Sequence, residues 1–279
     1  MINATNDIAG WLSWTSSLRR HARLWRGCFS LALVREAQFR AHFLTTVVIG
    51  LTQLILGVIP VLVLFSFTDG VRGWSQADVI VVLGVQQAMM GMIGMIITHN
   101  MWAMMEAVRN GELDQMLIRP VDAQFYAATR WIRPDQTFNI LTGLVIVLIG
   151  LTNGRGIPGP LAWLQGGVIF LCGFVLIACL YMAVSYCAFW TQSMAAAVMV
   201  VSDVLEAGRY PVWFFPLAMR AVLTFLIPVA FATTFPSEAL THGISWWLVP
   251  GSIAFAAAAV TGLRLIWNVA IRQYSSASA

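Results

Sequence analysis

Seven polar side chains interrupt stretches that are otherwise apolar: Gln53, Gln86, Gln87, Asn139, Tyr181, Ser185 and Tyr186. Amides and hydroxyls set among hydrocarbon seek hydrogen bonds, because an unpaired polar group away from water is costly. Two uses fit them. They can join helix to helix, each such bond contributing roughly 0.6–2 kcal/mol, or they can line a substrate path, for which Gln53, Gln86, Gln87, Asn139, Tyr181 and Tyr186 are the candidates. Groups suited to covalent chemistry lack a working arrangement. His21, His42, His99 and His242 are scattered, there is no HExxH or GxSxG, and no clear span holds a pair of carboxylates. A membrane protease or proton pump would need ionisable groups near mid-membrane. All sixteen basic residues are Arg, so this chain lacks the Lys that a P-loop extends to phosphate and carries no standard ATP-hydrolysing motor. Cys172, Cys179 and Cys187 share one span and Cys28 precedes the first, a spacing that fits neither a disulfide framework nor a zinc site. The Met-rich stretch from Met89 to Met105 reads as adaptable packing. No metal and no cofactor is expected in this chain.

A second constellation lies in the polar stretch Arg109-Asn-Gly-Glu-Leu-Asp-Gln-Met-Leu-Ile-Arg-Pro-Val-Asp122. Gly111 can break the preceding helix and Pro120 can end the next piece. Between them Leu113, Met116 and Leu117 share one face of a short helix, with Glu112, Asp114 and Arg119 beside it. The spacing predicts a small amphipathic peg held near the membrane by two spans. It can lie on the surface as a connector, or its apolar face can dock a cytosolic protein.

The elements that position these groups follow from composition. Of 279 residues, 59% are hydrophobic and only 10% charged, against about 25% charged in soluble domains, and several apolar runs last roughly 20 residues, the length that crosses a bilayer. The expected fold is all-α and polytopic, with about six transmembrane helices preceded by an amphipathic interfacial helix. Residues 1–42 form the N-terminal segment, 43–268 the transmembrane domain with a cytosolic loop at about 106–136, and 269–279 a cytosolic tail. In the first segment Leu18, Ala22, Trp25, Phe29 and Leu33 make one apolar stripe with Arg19, Arg23 and Arg26 beside it, a pattern suited to a membrane interface. The first residues are mixed and polar, so the first span is expected to direct insertion. Spans are expected at about 43–67, 79–102, 137–151, 161–190 and 244–266, with Ser75 and Asp78 as a capping box before the second. Between 191 and 243 two courses fit. One puts a linker helix before Tyr210 and a span at about 211–235; the other puts a span near 193–209, followed by a re-entrant hairpin. The first is preferred. Arg is concentrated in the N-terminal segment, the loop after the second span and the tail, which predicts that both termini are cytosolic.

Arg109 with Gly-Glu-Leu-Asp114 and the run Leu117-Ile-Arg-Pro-Val121 resembles the loop of ABC type-2 exporter permeases, in a branch of paired permeases that includes proposed drug and viologen exporters. Arg209-Tyr-Pro211, Ile227-Pro228, Phe235-Pro236 and Trp267 through Tyr274-Ser-Ser276 resemble that branch in order and spacing. The resemblance implies six spans per subunit, a second permease subunit (a paralogue favoured over an identical copy) and a dimer of cytosolic ABC ATPases that bind ATP and Mg. It implies that Arg109, Gly111, Glu112, Leu113, Asp114, Met116, Leu117, Arg119 and Pro120 belong to a coupling helix, with Leu18, Trp25, Phe29 and Leu33 on an interfacial helix beside it. The function it implies is export of an amphipathic, drug-like or lipid-like molecule across the bacterial inner membrane, with no enzyme activity and no nucleic-acid partner for the chain itself. The alternative class is a non-transport membrane scaffold whose basic cytosolic face recruits a soluble partner.

Overall fold

A computed structural model of the chain describes residues 40–118, 122–191 and 194–273, together with 27 and 30; the side chains of 40–43 and Leu117 fall outside that description. The stripe Leu18, Trp25, Phe29 and Leu33 and the coupling residues Arg119 and Pro120 also lie outside the described residues.

Helix α1 (Arg40–Ser66) is followed by a tight turn and by α2 (Gln76–Ile96), which opens on the expected capping box: Asp78 N–H donates to Ser75 Oγ, and Ser75 N–H donates to Asp78 Oδ2. A break at Ile97 leads to α3 (Thr98–Asn110). Together α2 and α3 extend for 35 residues, more than the roughly 20 that cross hydrocarbon. The 13 residues of α3 carry the chain about 20 Å beyond Ile97. Gly111 ends that extension in the left-handed conformation (φ 72°), which a side chain would strain. The peg follows as α4 (Leu113–Leu117), and α5 (Ala123–Thr129) returns beside α3. The peg therefore sits at the end of a helical extension of α2. Next come α6 (Thr137–Asn153), α7 (Pro160–Tyr186, with Pro at its first turn), α8 (Ala195–Glu206), α9 (Leu217–Ala221), α10 (Phe235–Thr241) and α11 (Leu248–Gln273). Five stretches are long and apolar enough to cross a membrane, and no strand occurs among the described residues.

The region between α7 and α11 follows the course that the sequence favoured less. Helix α8 rises from the α7 end to the level of Gln86, whose Nε2 donates to Leu205 C=O at 3.0 Å. The chain then reaches the far end of the bundle, where Arg72 donates to Trp213 C=O and Tyr210 and Phe214 pack near Trp74. From there α9 and a π-helical turn (Val222–Leu226) descend beside Leu176 and Cys179, and a second π turn (Ala230–Thr234) leads back up through α10. The descending and returning halves meet at 80°. Pro228 sits at this tip, where it cannot donate to a continuous ladder. From Pro228 onward the returning half is covered by protein, because Gly173 of α7 lets the backbone at Phe231 approach and Val229 packs against Gly208. Irregular backbone at membrane depth is stable under that condition. The preferred linker and single span at 211–235 are thus replaced by α8 and a re-entrant hairpin, which together make one crossing between α7 and α11.

The most extensive helix–helix contact joins α2 to α6. A Cβ on Gly84 would stand 2.7 Å from Gly143 C=O, and one on Gly143 would stand 2.5 Å from Ala88 N. Small residues of this kind let membrane helices associate through dispersion and backbone contact.

Candidate functional site

The structure gathers most of the sequence-predicted polar residues into two neighbouring places, the loop and a recess in the bundle beside it. The first is the loop between α3 and α6. Arg109 and Glu112 are exposed, Asp114 is partly buried, and Leu113 (0% exposed) and Met116 (3%) point inward. They join Met104, Ala107, Ala127, Met182, Tyr186 and Trp267 in one apolar cluster beneath the loop. The apolar face expected of the peg is, at Leu113 and Met116, covered by the chain's own α3, α5, α7 and α11. The tip instead presents Glu112, Gln115 and Ile118, the last 83% exposed.

Three polar fastenings hold this loop to the bundle. Asn100, 0% exposed, clamps the backbone of Trp131: its Nδ2 donates to Trp131 C=O at 2.7 Å, and Trp131 N–H donates to its Oδ1 at 2.9 Å. Asp122 caps α5 by accepting from Phe125 N–H at 2.9 Å and pairs with Arg264 of α11, whose Nη2 donates to its Oδ2 at 2.7 Å. Burial pushes the Asp122 carboxyl up, but the bonds from Arg264 and Phe125 and the Arg264 charge outweigh it, leaving the group below its ordinary value. Asp135, 1% exposed, accepts from Thr46 Oγ1 of α1 at 2.8 Å and from Arg133 Nη2 at 2.5 Å, while Arg133 N–H donates to Met95 C=O of α2. Sequence reading passed over Asn100, Thr46, Asp122 and Asp135; only the Asp122 cap, three residues before Phe125, had a local signal.

The second place is a small polar recess between α1, α2, the start of α6 and the end of α8, lined among others by Gln53, Gln86, Gln87, Gln136, Asn139, Glu206 and Arg209. Four of the predicted path residues meet here. Gln87 Nε2 donates to Asn139 Oδ1 (3.1 Å), Asn139 Nδ2 to Gln136 Oε1 (2.8 Å) and Gln136 Nε2 to Asp135 Oδ2 (3.3 Å). The amides form a ladder running from the recess to the carboxylate that fastens the loop. Gln53 lines the recess from α1 and is exposed. Arg209 forms an ion pair with Glu206 on the wall, and Asp203, exposed, lies one turn before it on the same face of α8. Ionisable groups at this depth mark functional sites by default. The clear spans lack them, and the irregular stretch after Trp190 supplies them. Tyr181 and Tyr186 do not reach the recess. Tyr181 shares a 2.9 Å hydrogen bond with Ser202 of α8, and Tyr186 is buried against the Trp267 ring at 5.0 Å.

The ABC-2 family transporter protein family matches residues 51–278, a stretch that includes the loop, the recess and the re-entrant hairpin. The chain belongs to that family. The ABC-2 assignment makes it an integral membrane protein with a transport permease role, the membrane component of a system whose ATP-binding partner is, in the family generally, a separate ABC ATPase. No curated protein and no solved structure matches this ABC-2 chain. Both ends of its bundle lie on one side: Thr46, near the start of α1, meets Asp135 at the loop, and Arg264, near the end of α11, meets Asp122.

Proposed function

We propose that this ABC-2 protein is one permease half of an ATP-driven exporter in the bacterial cytoplasmic membrane, moving an amphipathic drug-like or lipid-like molecule. The loop end faces the cytosol, in keeping with Arg109, Arg130, Arg133, Arg264 and Arg272 at that end against Arg72, Arg155 and Arg220 at the other. Two cytosolic ABC ATPases bind ATP and Mg and dock on the loop tip at Glu112, Gln115 and Ile118. Arg109, Gly111, Asp114 and the adjoining Leu117, Arg119 and Pro120 complete the coupling segment, and Leu113 with Met116 anchors it. The exposed charges of α8 at membrane depth support a second permease subunit, a paralogue, across the recess, since lipid is a poor neighbour for Asp203 and Glu206. Gln53, Gln86, Gln87 and Asn139 then lie on the substrate path.

The observation that carries this reading is the exposed tip on a loop fastened to α1, α2, α3 and α11. ATP binding favours the ATPase arrangement that pulls the tip, and the bundle shifts because the two states bind the motor differently. The test is purification of the tagged chain from its native membrane in mild detergent. The expected result is a co-purifying ABC ATPase whose vanadate-sensitive hydrolysis rises with an amphipathic substrate. A chain that emerges intact with no ATPase bound overturns the reading.

A further inference from the structure

Away from the loop and the recess, two arginines converge at the far end of the bundle. The turn between α1 and α2 closes through paired backbone hydrogen bonds of 3.0 Å between Val71 and Trp74. Its corner is Arg72-Gly73, both with positive φ (50° and 86°), and Arg72 is the one positive-φ residue other than glycine among the described residues. A long side chain in that conformation is unfavourable, yet it directs the guanidinium across to Trp213, where Nη1 donates to the backbone carbonyl at 2.7 Å. Arg220, near the start of the descending hairpin, reaches the same oxygen: its Nη2 lies 3.4 Å from Trp213 C=O and 3.4 Å from Phe215 C=O, and its guanidinium sits 4.8 Å over the Trp213 ring. Because they share one acceptor oxygen, at 2.7 and 3.4 Å, Arg72 Nη1 and Arg220 Nη2 stand close together.

Neither has a carboxylate partner. Glu238 meets Trp213 from its indole edge, accepting from Nε1 at 3.4 Å, without pairing with either arginine, and no salt bridge of Arg72 or Arg220 occurs among the described residues. Arg220 Nε is buried and has no hydrogen-bond acceptor there. Two like charges brought together at a strained turn, with donors unspent and an aromatic ring beneath, are electrostatically incomplete. Guanidinium pairs complete themselves with planar or tetrahedral oxyanions, which accept from both forks.

We propose that Arg72 and Arg220 form an anion site at this end of the bundle that takes a phosphate-type group, with Trp213 as its floor. The group is the phosphodiester of a membrane lipid headgroup or a phosphate carried on a soluble molecule. The site stands independently of the proposed transport role.

The full chain is reconstituted into nanodiscs of phosphatidylcholine with a minority of phosphatidylglycerol, and the lipids it retains on release are counted by native mass spectrometry. In all-phosphatidylcholine nanodiscs, inorganic phosphate is titrated calorimetrically. Arg72→Gly is the deciding variant, because glycine relaxes the strained turn while removing the cation, so lost binding is not lost folding. The expected result is a preference for phosphatidylglycerol that falls about tenfold in Arg72→Gly, the effect of losing one charge-assisted hydrogen bond, and disappears in R72G/R220Q. Arg155→Gln, at the same end but facing Asp78, leaves the preference intact. Phosphate heat that is present in the wild type and absent in Arg72→Gly assigns the site to soluble phosphates; a silent titration with arginine-dependent lipid retention assigns it to the headgroup. Lipid preference and phosphate binding that both persist in R72G/R220Q overturn the proposal. An equal loss in Arg155→Gln also overturns it, since that would be a general response to positive charge.

Discussion

Aspartate placed at Leu113 and at Ile118 should act by different routes, although the two residues are five apart on one short loop. Leu113 is completely buried among Met104, Met116, Ala127, Met182, Tyr186 and Trp267. Truncating such a leucine to alanine costs about 2–5 kcal/mol, and aspartate adds an unpaired charge in an apolar site, several kcal/mol more. That total is comparable with the about 5–15 kcal/mol that holds a domain together, so Leu113→Asp should release the packing of α4 against α3, α7 and α11. Ile118 is 83% exposed, and changing it should alter stability by no more than about 0.5 kcal/mol. If it is a docking contact, aspartate there weakens ATPase binding by about 10- to 30-fold, the range of a 1.4–2 kcal/mol interface residue. The assay pairs a thermal melt of the detergent-solubilised chain with a co-purification titration against the ATPase. Leu113→Asp should melt early and lose the partner as a result; Ile118→Asp should melt like the wild type and still lose it. A Leu113→Asp chain that melts normally refutes the buried-anchor reasoning, and an Ile118→Asp chain that keeps the ATPase refutes the docking face.

Gly143→Leu should prevent α6 from reaching α2, since even a Cβ there would meet Ala88 N at 2.5 Å; the expected cost exceeds the usual 1–3 kcal/mol of overpacking, read as lost expression and early melting, whereas Gly262→Leu, with nothing within 4 Å of its Cβ, should be silent. Asp122 has a lowered pKa in the folded chain, so its contribution to stability is fully present above the unfolded value of about 3.9 and is lost as pH falls through the lower folded value. Asp122→Asn should therefore melt below the wild type at pH 7, and the gap should close in acid; a gap that is constant with pH counts against the Arg264 clamp.

Much of the architecture was legible because bilayer physics writes it in long apolar runs: α1, α2, α6 and α7 fall close to where hydropathy put them, α11 starts later and continues to Gln273 into the stretch expected as tail, and Gly111 and Ser75 mark helix ends by local rules. The course from Trp190 to Gly243 was not, because four prolines and the charges of Asp203, Glu206 and Arg209 spoil a simple hydropathy signal. What stabilises that backbone is cover from Gly173 and Gly208, a long-range fact with no local pattern. The recess was partly legible, since mid-span amides such as Gln87 and Asn139 stand out, but Tyr181 and Tyr186 looked equivalent to them until helix rotation turned them elsewhere. The loop was legible only in part. An apolar face at helical spacing says that Leu113 and Met116 are covered, and says nothing of whether the cover is a partner or the chain's own Trp267.

The three fastenings of the loop bear on how little play the machine has. Asn100, Asp122 and Asp135 tie one segment to α3, to α11 and to α1, and the amide ladder continues from Asp135 into the recess. A linkage pinned at several points transmits a displacement without slack, but it also fails abruptly when a pin is drawn. Under the proposed coupling role, conservative substitutions at these positions should weaken transport more than they weaken assembly with the ATPase, like an engine running with the clutch depressed.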